Sequence, residues 1–173
     1  MKGFKNIIIY ILIVIVLSLA IFVLFQYYAG VETVDRAVVK DEPEIVKVMI
    51  YYSNSVKNPA MLDCSLVFSV ERVVTSREKI YEATINQLLL EPTKEEITLG
   101  YKNLIPVGTK LNFVKFDNGI LQADFNESLD RGVGGSCLVS AIRSQIERTM
   151  QQWPEVKSVV VSIKGESEII LQP

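Results

Sequence analysis

Histidine is the residue type that this 173-residue sequence lacks altogether. Its absence excludes Ser-His-Asp and Cys-His catalysis and every metal site that needs an imidazole ligand. An excess of basic residues is lacking too, since the formal net charge is −2 and residues 31–173 hold 16 Lys and Arg against 20 Asp and Glu. Proteins that bind nucleic acid carry a basic face, so the sequence predicts no nucleic-acid partner.

Cysteine is scarce, with Cys64 and Cys137 as the only two in the chain. A disulfide between them is chemically feasible outside the cytoplasm. Cys64 precedes a predicted strand and Cys137 begins a predicted helix, so their Cα atoms could lie farther apart than the ~7 Å limit for a bridge. The sequence therefore favours two buried thiols over a disulfide and leaves the pairing open. Cys137 as a nucleophile would lack the usual base.

One long stretch lacks charge, from Ile7 to Phe25, and within it only Ser18 is clearly polar. As a helix, residues 7–28 would span a hydrocarbon core of about 30 Å. Lys2 and Lys5 precede this stretch, and the positive-inside rule places them in the cytoplasm. We therefore predict a cytoplasmic tail at 1–6, a transmembrane helix at 7–28, a linker at 29–44 and an extracytoplasmic domain at 45–173. The protein is expected to be a single-pass membrane protein.

A cleaved signal peptide is the alternative interpretation of this N-terminal stretch. Signal peptides have an apolar region of about 7–15 residues that ends in a site of small residues. The run here is longer, and the large residues Phe22, Phe25, Tyr27 and Tyr28 stand at its end. These features favour an uncleaved anchor, with the two tyrosines at the outer membrane interface.

Residues 45–173 alternate between strand-like and helix-like patterns. Thr75 and Glu78 fit a capping box at a helix start, and Asn118-Gly119 is typical of a hairpin turn. The order ββα-ββα-ββ predicts an α+β fold, with a mixed β-sheet and two packed helices. The predicted elements are strands at Ile45–Tyr52 and Leu66–Val74, a helix from Thr75 to Pro92, a connection over Thr93–Pro106, hairpin strands at Leu111–Phe116 and Ile120–Phe125, a helix at Ser136–Trp153, and strands at Val156–Ile163 and Glu168–Leu171.

Three groups of polar residues are candidate sites, and each has a simpler interpretation. Asp124 and Glu127 could act as acid and base, but solvated carboxylates are favoured. Gly134-Gly135-Ser136 could hold an anion, but a turn capped by Ser136 is favoured. Tyrosines could stack on sugars, but sheet packing is favoured for Tyr51, Tyr52 and Tyr101. We predict no catalytic, cofactor-binding or metal-binding residue and no cofactor.

Four segments in order resemble the GerMN domain family, the sporulation and spore germination domain, over about residues 45–170. Glu91 stands where the family usually has glycine before the proline, and an apolar helix stands in place of a lipidated cysteine. The segments are Leu88–Glu96 with Glu91-Pro92-Thr93, Gly100–Leu111 with Ile105-Pro106-Val107-Gly108-Thr109, Asp117–Asn126, and Gly134–Val159 with Arg143 and Trp153-Pro154.

The resemblance implies a noncatalytic extracytoplasmic module of bacterial envelope complexes, with no catalytic residues to carry over. We expect a structural or adaptor protein whose partner is another envelope protein or a second copy of itself, in sporulation or germination. A ligand-sensing or cell-wall-binding ectodomain is the alternative, with peptidoglycan as the expected ligand.

Overall fold

The computed structural model describes residues 2–38, 45–75, 79–168 and 170–171. The chain divides into two compact units, Met1–Pro43 and Glu44–Pro173. The elements are helices α1 (Lys2–Val38), α2 (Ile80–Leu88), α3 (Lys94–Thr98) and α4 (Ser136–Met150), strands β1 (Val46–Asn54), β2 (Phe68–Val74), β3 (Tyr101–Lys102), β4 (Leu111–Asp117), β5 (Ile120–Phe125) and β6 (Ser158–Ile163), and 3-10 turns at Pro59–Met61 and Glu127–Asp130.

Helix α1 contains the apolar stretch of the first unit. Its segment Ile11–Tyr28 is long and apolar enough to cross a membrane. The helix continues to Val38, so ten residues of the expected linker are helical. Residues 39–44 of that linker lie outside the described residues.

The second unit has the predicted α+β class, but its strands form two sheets where one was expected. The first has the order β2-β1-β3 and the second the order β4-β5-β6. The second sheet is mixed, because β5 pairs antiparallel with β4 and parallel with β6. The predicted hairpin turn is confirmed, since Asn118 and Gly119 have φ of 48° and 83°.

The hydrophobic core joins both sheets to helices α2 and α4. Alternate residues of β1 are buried, as a half-buried strand requires. Tyr52 is fully buried, and its hydroxyl donates to the carbonyl of Leu90 at 2.9 Å. Burial raises the pKa of Tyr52 to about 12, so the phenol remains a donor. The expected sheet packing of Tyr52 is confirmed; Tyr51 and Tyr101 are half-buried on β1 and β3.

Helix α4, together with Gln152 just past its end, covers the edge of β1 opposite β2, which β3 pairs only at Ser53 and Asn54. Gln152 accepts from the Met49 amide at 2.9 Å and donates to its carbonyl at 3.0 Å. One helical turn earlier, Thr149 Oγ1 accepts from the amide of Tyr51 at 3.1 Å. Gln145, a further turn back, accepts from the amide of Ser53 at 3.2 Å. Polar side chains at helical spacing thus accept hydrogen bonds from the backbone amide of every second residue of the strand. Because these amides have acceptors, the strand edge is protected from pairing with another chain.

Several predicted boundaries differ from the structure. Helix α2 begins at Ile80 and not at Thr75; Lys79 is its N-cap residue, and no side-chain hydrogen bond caps the helix. Glu78, the second member of the predicted capping box, lies outside the described residues. A capping box does occur at α3, where the Thr93 side chain accepts from the amide of Glu96 and the Glu96 carboxylate accepts from the amide of Thr93. The predicted connection therefore contains a helix, and also strand β3.

The predicted final strand is wrong for the described residues 168, 170 and 171. The backbone of residues 170–171 is hydrogen-bonded by side chains and not by a neighbouring strand. Asp130 accepts from the Leu171 amide at 3.1 Å, and Arg143 donates to the carbonyl of Ile170 at 3.1 Å. The side chains of Ile170 and Leu171 are buried in the core, which explains why the sequence of this segment resembles a strand.

Candidate functional site

Asp124 was expected to be solvated, and the structure contradicts this: its side chain is 1% exposed. Its carboxylate accepts hydrogen bonds from Asn112 on β4 at 2.9 Å, Ser162 on β6 at 2.7 Å and the Gly165 amide at 2.7 Å. Asn112 lies at an irregularity in the register of β4, which turns its side chain toward Asp124. The carboxylate therefore ties together all three strands of the second sheet.

The pKa of Asp124 is lowered by these bonds. Burial alone would raise the pKa, but the donors Asn112, Gly165 and Ser162 outweigh it. Glu127 is exposed and forms a salt bridge with Lys164, which lowers its pKa. The two carboxylates thus have separate partners, and both are held in the charged form. A general acid needs a raised pKa, so this geometry does not support an acid–base pair.

Cys64 and Cys137 form a disulfide, so the expectation of two buried thiols is wrong. Their Cα atoms lie 5.0 Å apart, and both residues are half-buried. The reason is that the long connection after β1 returns Cys64 to the start of α4. The bridge joins positions separated by 73 residues. Neither sulfur is available as a nucleophile while the bridge is intact.

The turn before α4 has the predicted glycine conformation but not the predicted cap. Gly135 occupies the N-cap position with φ of 84°, and no side chain caps the helix there. Ser136 is the first helical residue and is exposed. Within the described residues, no cluster of three or more His, Cys, Asp or Glu could hold a metal.

An ion pair between β2 and α3 was not predicted from the sequence. Arg72 donates to both carboxylate oxygens of Glu96, at 2.7 and 2.5 Å. These bonds lower the pKa of Glu96, which also belongs to the α3 capping box. Both side chains are largely buried, so the pair fixes α3 against the first sheet. The sequence pattern Thr93-x-x-Glu96 after Pro92 is typical of a capping box and could have predicted the start of α3.

The connection between β1 and β2, residues 55–67, is held at both ends, and we call it the pinned loop. At its start, the buried Asn54 accepts from the amides of Val56 and Lys57, each at 2.9 Å, and donates to the Leu99 carbonyl at 3.0 Å. Toward its end, Cys64 is held to α4 by the disulfide. Ala60 and Met61 have φ of 54° and 51°, in the left-handed region that costs an L-residue energy.

Two hollows lie beside the pinned loop and share Ser55 and Lys102. The loop hollow has a volume of about 240 Å³ and the α3 hollow about 320 Å³. The loop hollow is lined by Ser53, Asn54, Ser55, Asn58, Ala60, Met61, Lys102 and Leu104. The α3 hollow is lined by Ser55, Glu91, Pro92, Ile97, Gly100, Tyr101 and Lys102.

Exposed aliphatic side chains surround these hollows. Val56 is 69% exposed, Ile97 54% and Leu99 62%. Gly100, which lines the α3 hollow, has φ of 88°, and a Cβ there would meet the Val56 side chain at 2.7 Å. Close backbone packing therefore brings the pinned loop and α3 into one surface. We call it the loop–α3 surface, comprising the two hollows and these three side chains.

A larger hollow of about 450 Å³ lies beside the turn after β6. Two of the three acidic residues that line it have partners: Glu127 pairs with Lys164, and Asp130 accepts from the Leu171 amide.

The comparisons with known proteins agree with this fold. The family model described as sporulation and spore germination, Germane, matches residues 49–168. The chain belongs to the Germane family. The resemblance to GerMN domains that the motifs indicated is thus confirmed. No curated protein matches the chain.

Solved GerMN domains share the fold of this Germane-family chain. The tandem GerMN domains of the sporulation protein GerM from Bacillus subtilis align with a TM-score of 0.52 and 17% identity, covering 72% of this chain and 41% of theirs. The first GerMN domain of that protein aligns with a TM-score of 0.50 and 17% identity, covering 74% and 92%. The chain thus spans less than half of the tandem structure. At this identity the likeness establishes the fold alone.

Proposed function

We propose that this Germane-family chain is a noncatalytic, membrane-anchored adaptor in a bacterial envelope complex, acting in sporulation or spore germination. In this proposal residues 1–6 lie in the cytoplasm, residues 7–28 cross the membrane and residues 45–173 lie outside. The partner is another envelope protein or a second copy of the chain.

The observation that carries the proposal is the use of the candidate catalytic groups to hold the fold. Asp124 is saturated with hydrogen bonds between strands, and the two cysteines are joined to each other. The polar residues Gln145 and Thr149 of α4 are fully buried against the edge of β1. Since these groups are committed to structure, a surface that binds a partner explains the domain better than a reactive centre does.

The disulfide supports the proposed location. Disulfides persist in oxidising compartments and are rare in the cytosol. Charge supports the same orientation, because Lys2 and Lys5 precede the apolar helix. A reporter that is active only outside the cytoplasm, fused after Glu44, should be active. Activity of a cytoplasmic reporter at the same position, with the first one silent, would contradict the topology.

The adaptor function is tested by complementation of a deletion strain. A chain without residues 2–28 should fail, because the domain stays on the wrong side of the membrane. Replacing those residues with an unrelated single-pass helix of the same orientation should restore function, which separates location from helix identity. The exposed-residue variants Ser136→Ala and Glu127→Ala should complement fully at matched protein levels. A folded, abundant and inactive variant at either position would favour a reactive site.

A cell-wall-binding ectodomain is the second candidate, and one cluster of aromatic rings favours it. The Tyr81 ring lies 5.5 Å from Phe116 and 5.1 Å from Trp153, and Phe116 is 40% exposed. Partly exposed aromatic faces suit sugar rings. Trp153 is the only tryptophan, so its fluorescence reports on the cluster directly. Saturable quenching by soluble peptidoglycan fragments, lost in Phe116→Ala, would favour this candidate over the adaptor.

A further inference from the structure

We propose that the loop–α3 surface is the docking site for an extended acidic segment of a partner protein, in which an Asp or Glu is flanked by apolar residues. The inference rests on the proposed adaptor function and specifies the chemistry of the partner. The acidic side chain would meet Lys102, and the apolar side chains would enter the hollows on its two sides.

The shape of the surface supports two apolar anchors around a central charge. Lys102 lines both hollows, so it lies where they adjoin. Each hollow is too small for a folded element, but each suits one or two side chains, with volumes of about 240 and 320 Å³. In an extended segment, residues i, i+2 and i+4 lie on one face, with about 7 Å between successive members, so an acidic residue at i+2 would face Lys102 between apolar residues at i and i+4. Apolar anchors that fill pockets supply most of the energy at such interfaces.

Charge complementarity identifies the central residue as acidic. In the described part of the chain, neither Lys57 nor Lys102 forms a salt bridge. The Lys57 ammonium is held over the rings of Phe68 and Tyr101, 5.1 Å from each centroid, and donates to the Tyr101 hydroxyl at 3.0 Å.

Tyr101 lines the α3 hollow, so two ammonium groups lie at this surface. Among the described residues, Glu91 is the one carboxylate that lines either hollow, and it lines only the α3 hollow. The lysines therefore offer unpaired positive charge to a partner carboxylate.

The surface is held in shape before any partner arrives. Ala60 and Met61 line the loop hollow in a left-handed conformation, which persists only where the surroundings impose it. Asn54 and the disulfide supply that constraint at the two ends of the pinned loop. Strained backbone of this kind clusters at ligand-binding sites. A rigid surface loses less entropy on binding, so the constraint favours recognition of a short segment.

The test is selection of displayed random linear peptides on the full chain held in zwitterionic nanodiscs. The selected peptides should share an acidic residue at position i+2 between apolar residues at i and i+4. Their affinity should fall about tenfold for Lys102→Glu, because attraction becomes repulsion. Lys110→Glu, the same change at an exposed lysine that lines neither hollow, should leave affinity unchanged. Replacing the acidic residue of a selected peptide with lysine should restore its binding to Lys102→Glu.

Other outcomes would overturn the docking proposal. These are selected peptides without an acidic residue, equal losses for both lysine variants, or no rescue by the charge-reversed peptide. Dimerisation of the chain that Lys102→Glu abolishes would identify a second copy as the occupant. Binding to vesicles of anionic lipid that the same variant abolishes would identify a membrane surface. If Lys102→Glu complements a deletion strain while the anchor-less chain does not, the docking site is wrong and the adaptor function stands.

Discussion

The two sheets of the second unit satisfy their buried polar groups with different chemistry. In the first sheet, neutral side chains of α4 bond the open edge of β1, and Gln145 and Thr149 are completely buried there. In the second sheet, the charged carboxylate of Asp124 joins β4, β5 and β6. The first arrangement depends on a helix being held against a strand. The second depends on a charge, so of these two arrangements only the second should respond to acid.

Opening the disulfide should have the largest effect, and it should affect the first sheet first. The bridge fixes the start of α4, the helix that closes the edge of β1. Cys64→Ala with Cys137→Ala should lower the free energy of unfolding by about 4 kcal/mol, since the bridge closes a loop of some 70 residues. Hydrogen exchange should rise at the amides of Tyr51 and Ser53 before it rises in β5. Equal acceleration in both sheets would mean that the two do not open separately.

Removing the charge of Asp124 should have the next largest effect. Asp124→Asn keeps the shape but turns one acceptor into a donor that faces the Asn112 amide. A buried donor without an acceptor is costly, so we expect a loss of about 3 kcal/mol in denaturant unfolding. Glu127→Asn is the matched control, because its carboxylate is exposed. A loss there of the same size would refute the structural role assigned to Asp124.

Acid should remove part of this contribution of Asp124. Its pKa is lowered in the folded state, so its stabilising contribution is present above the unfolded pKa of about 4 and is lost as the pH falls through the folded value. The stability difference between wild type and Asp124→Asn should therefore shrink as the pH is lowered below 4. A difference that stays constant down to the acid transition would contradict the lowered pKa.

A neutral substitution in the first sheet should cost less and show no such pH dependence. Gln145 accepts from the amides of Ser53 and Leu104 and donates to Asn103 at 3.0 Å. Gln145→Leu removes these bonds from a fully buried site, and we expect a loss of about 2 kcal/mol. Calorimetry at pH 7 and pH 3 should give the same difference from wild type. Ser144→Leu on the neighbouring, half-buried helix position is the control, with a loss below about 1 kcal/mol.

Sequence patterns predicted the elements whose signal is local. The strand predicted at Ile45–Tyr52, the Asn118-Gly119 turn and the helix predicted at Ser136–Trp153 each depend on neighbouring residues, and the structure has β1, the turn and α4 in these places. The second sheet was not foreseen, because strand pairing is decided by contacts between distant segments. The same reason explains the disulfide, since Cys64 and Cys137 are brought together only by the pinned loop.

The roles of the buried polar residues could not be predicted from the sequence. The sequence around Asp124 would look the same for a solvated and for a buried carboxylate. Only the three donors that the fold brings to it show that it is buried. Gln145, Thr149 and Gln152 stand at helical spacing, but what they bond is an edge of β1 about a hundred residues away. The loop–α3 surface likewise joins β1, the pinned loop and α3, none of which carries a motif for it.

The smallest effect concerns the backbone of the pinned loop, which lies beside the first sheet. Ala60 has φ of 54° and ψ of 18°, a conformation that glycine adopts without cost. Ala60→Gly should relieve about 1 kcal/mol of backbone strain in the folded state. Glycine also raises the conformational entropy of the unfolded chain, which lowers the free energy of unfolding by about the same amount, so the net change should be less than about 0.5 kcal/mol. The matched control is Ala83→Gly in α2, where the same chemical change should cost about 1 kcal/mol. Equal losses in urea unfolding would mean that the left-handed turn at Ala60 stores no strain, and the rigidity of the loop hollow would then rest on Asn54 and the disulfide alone.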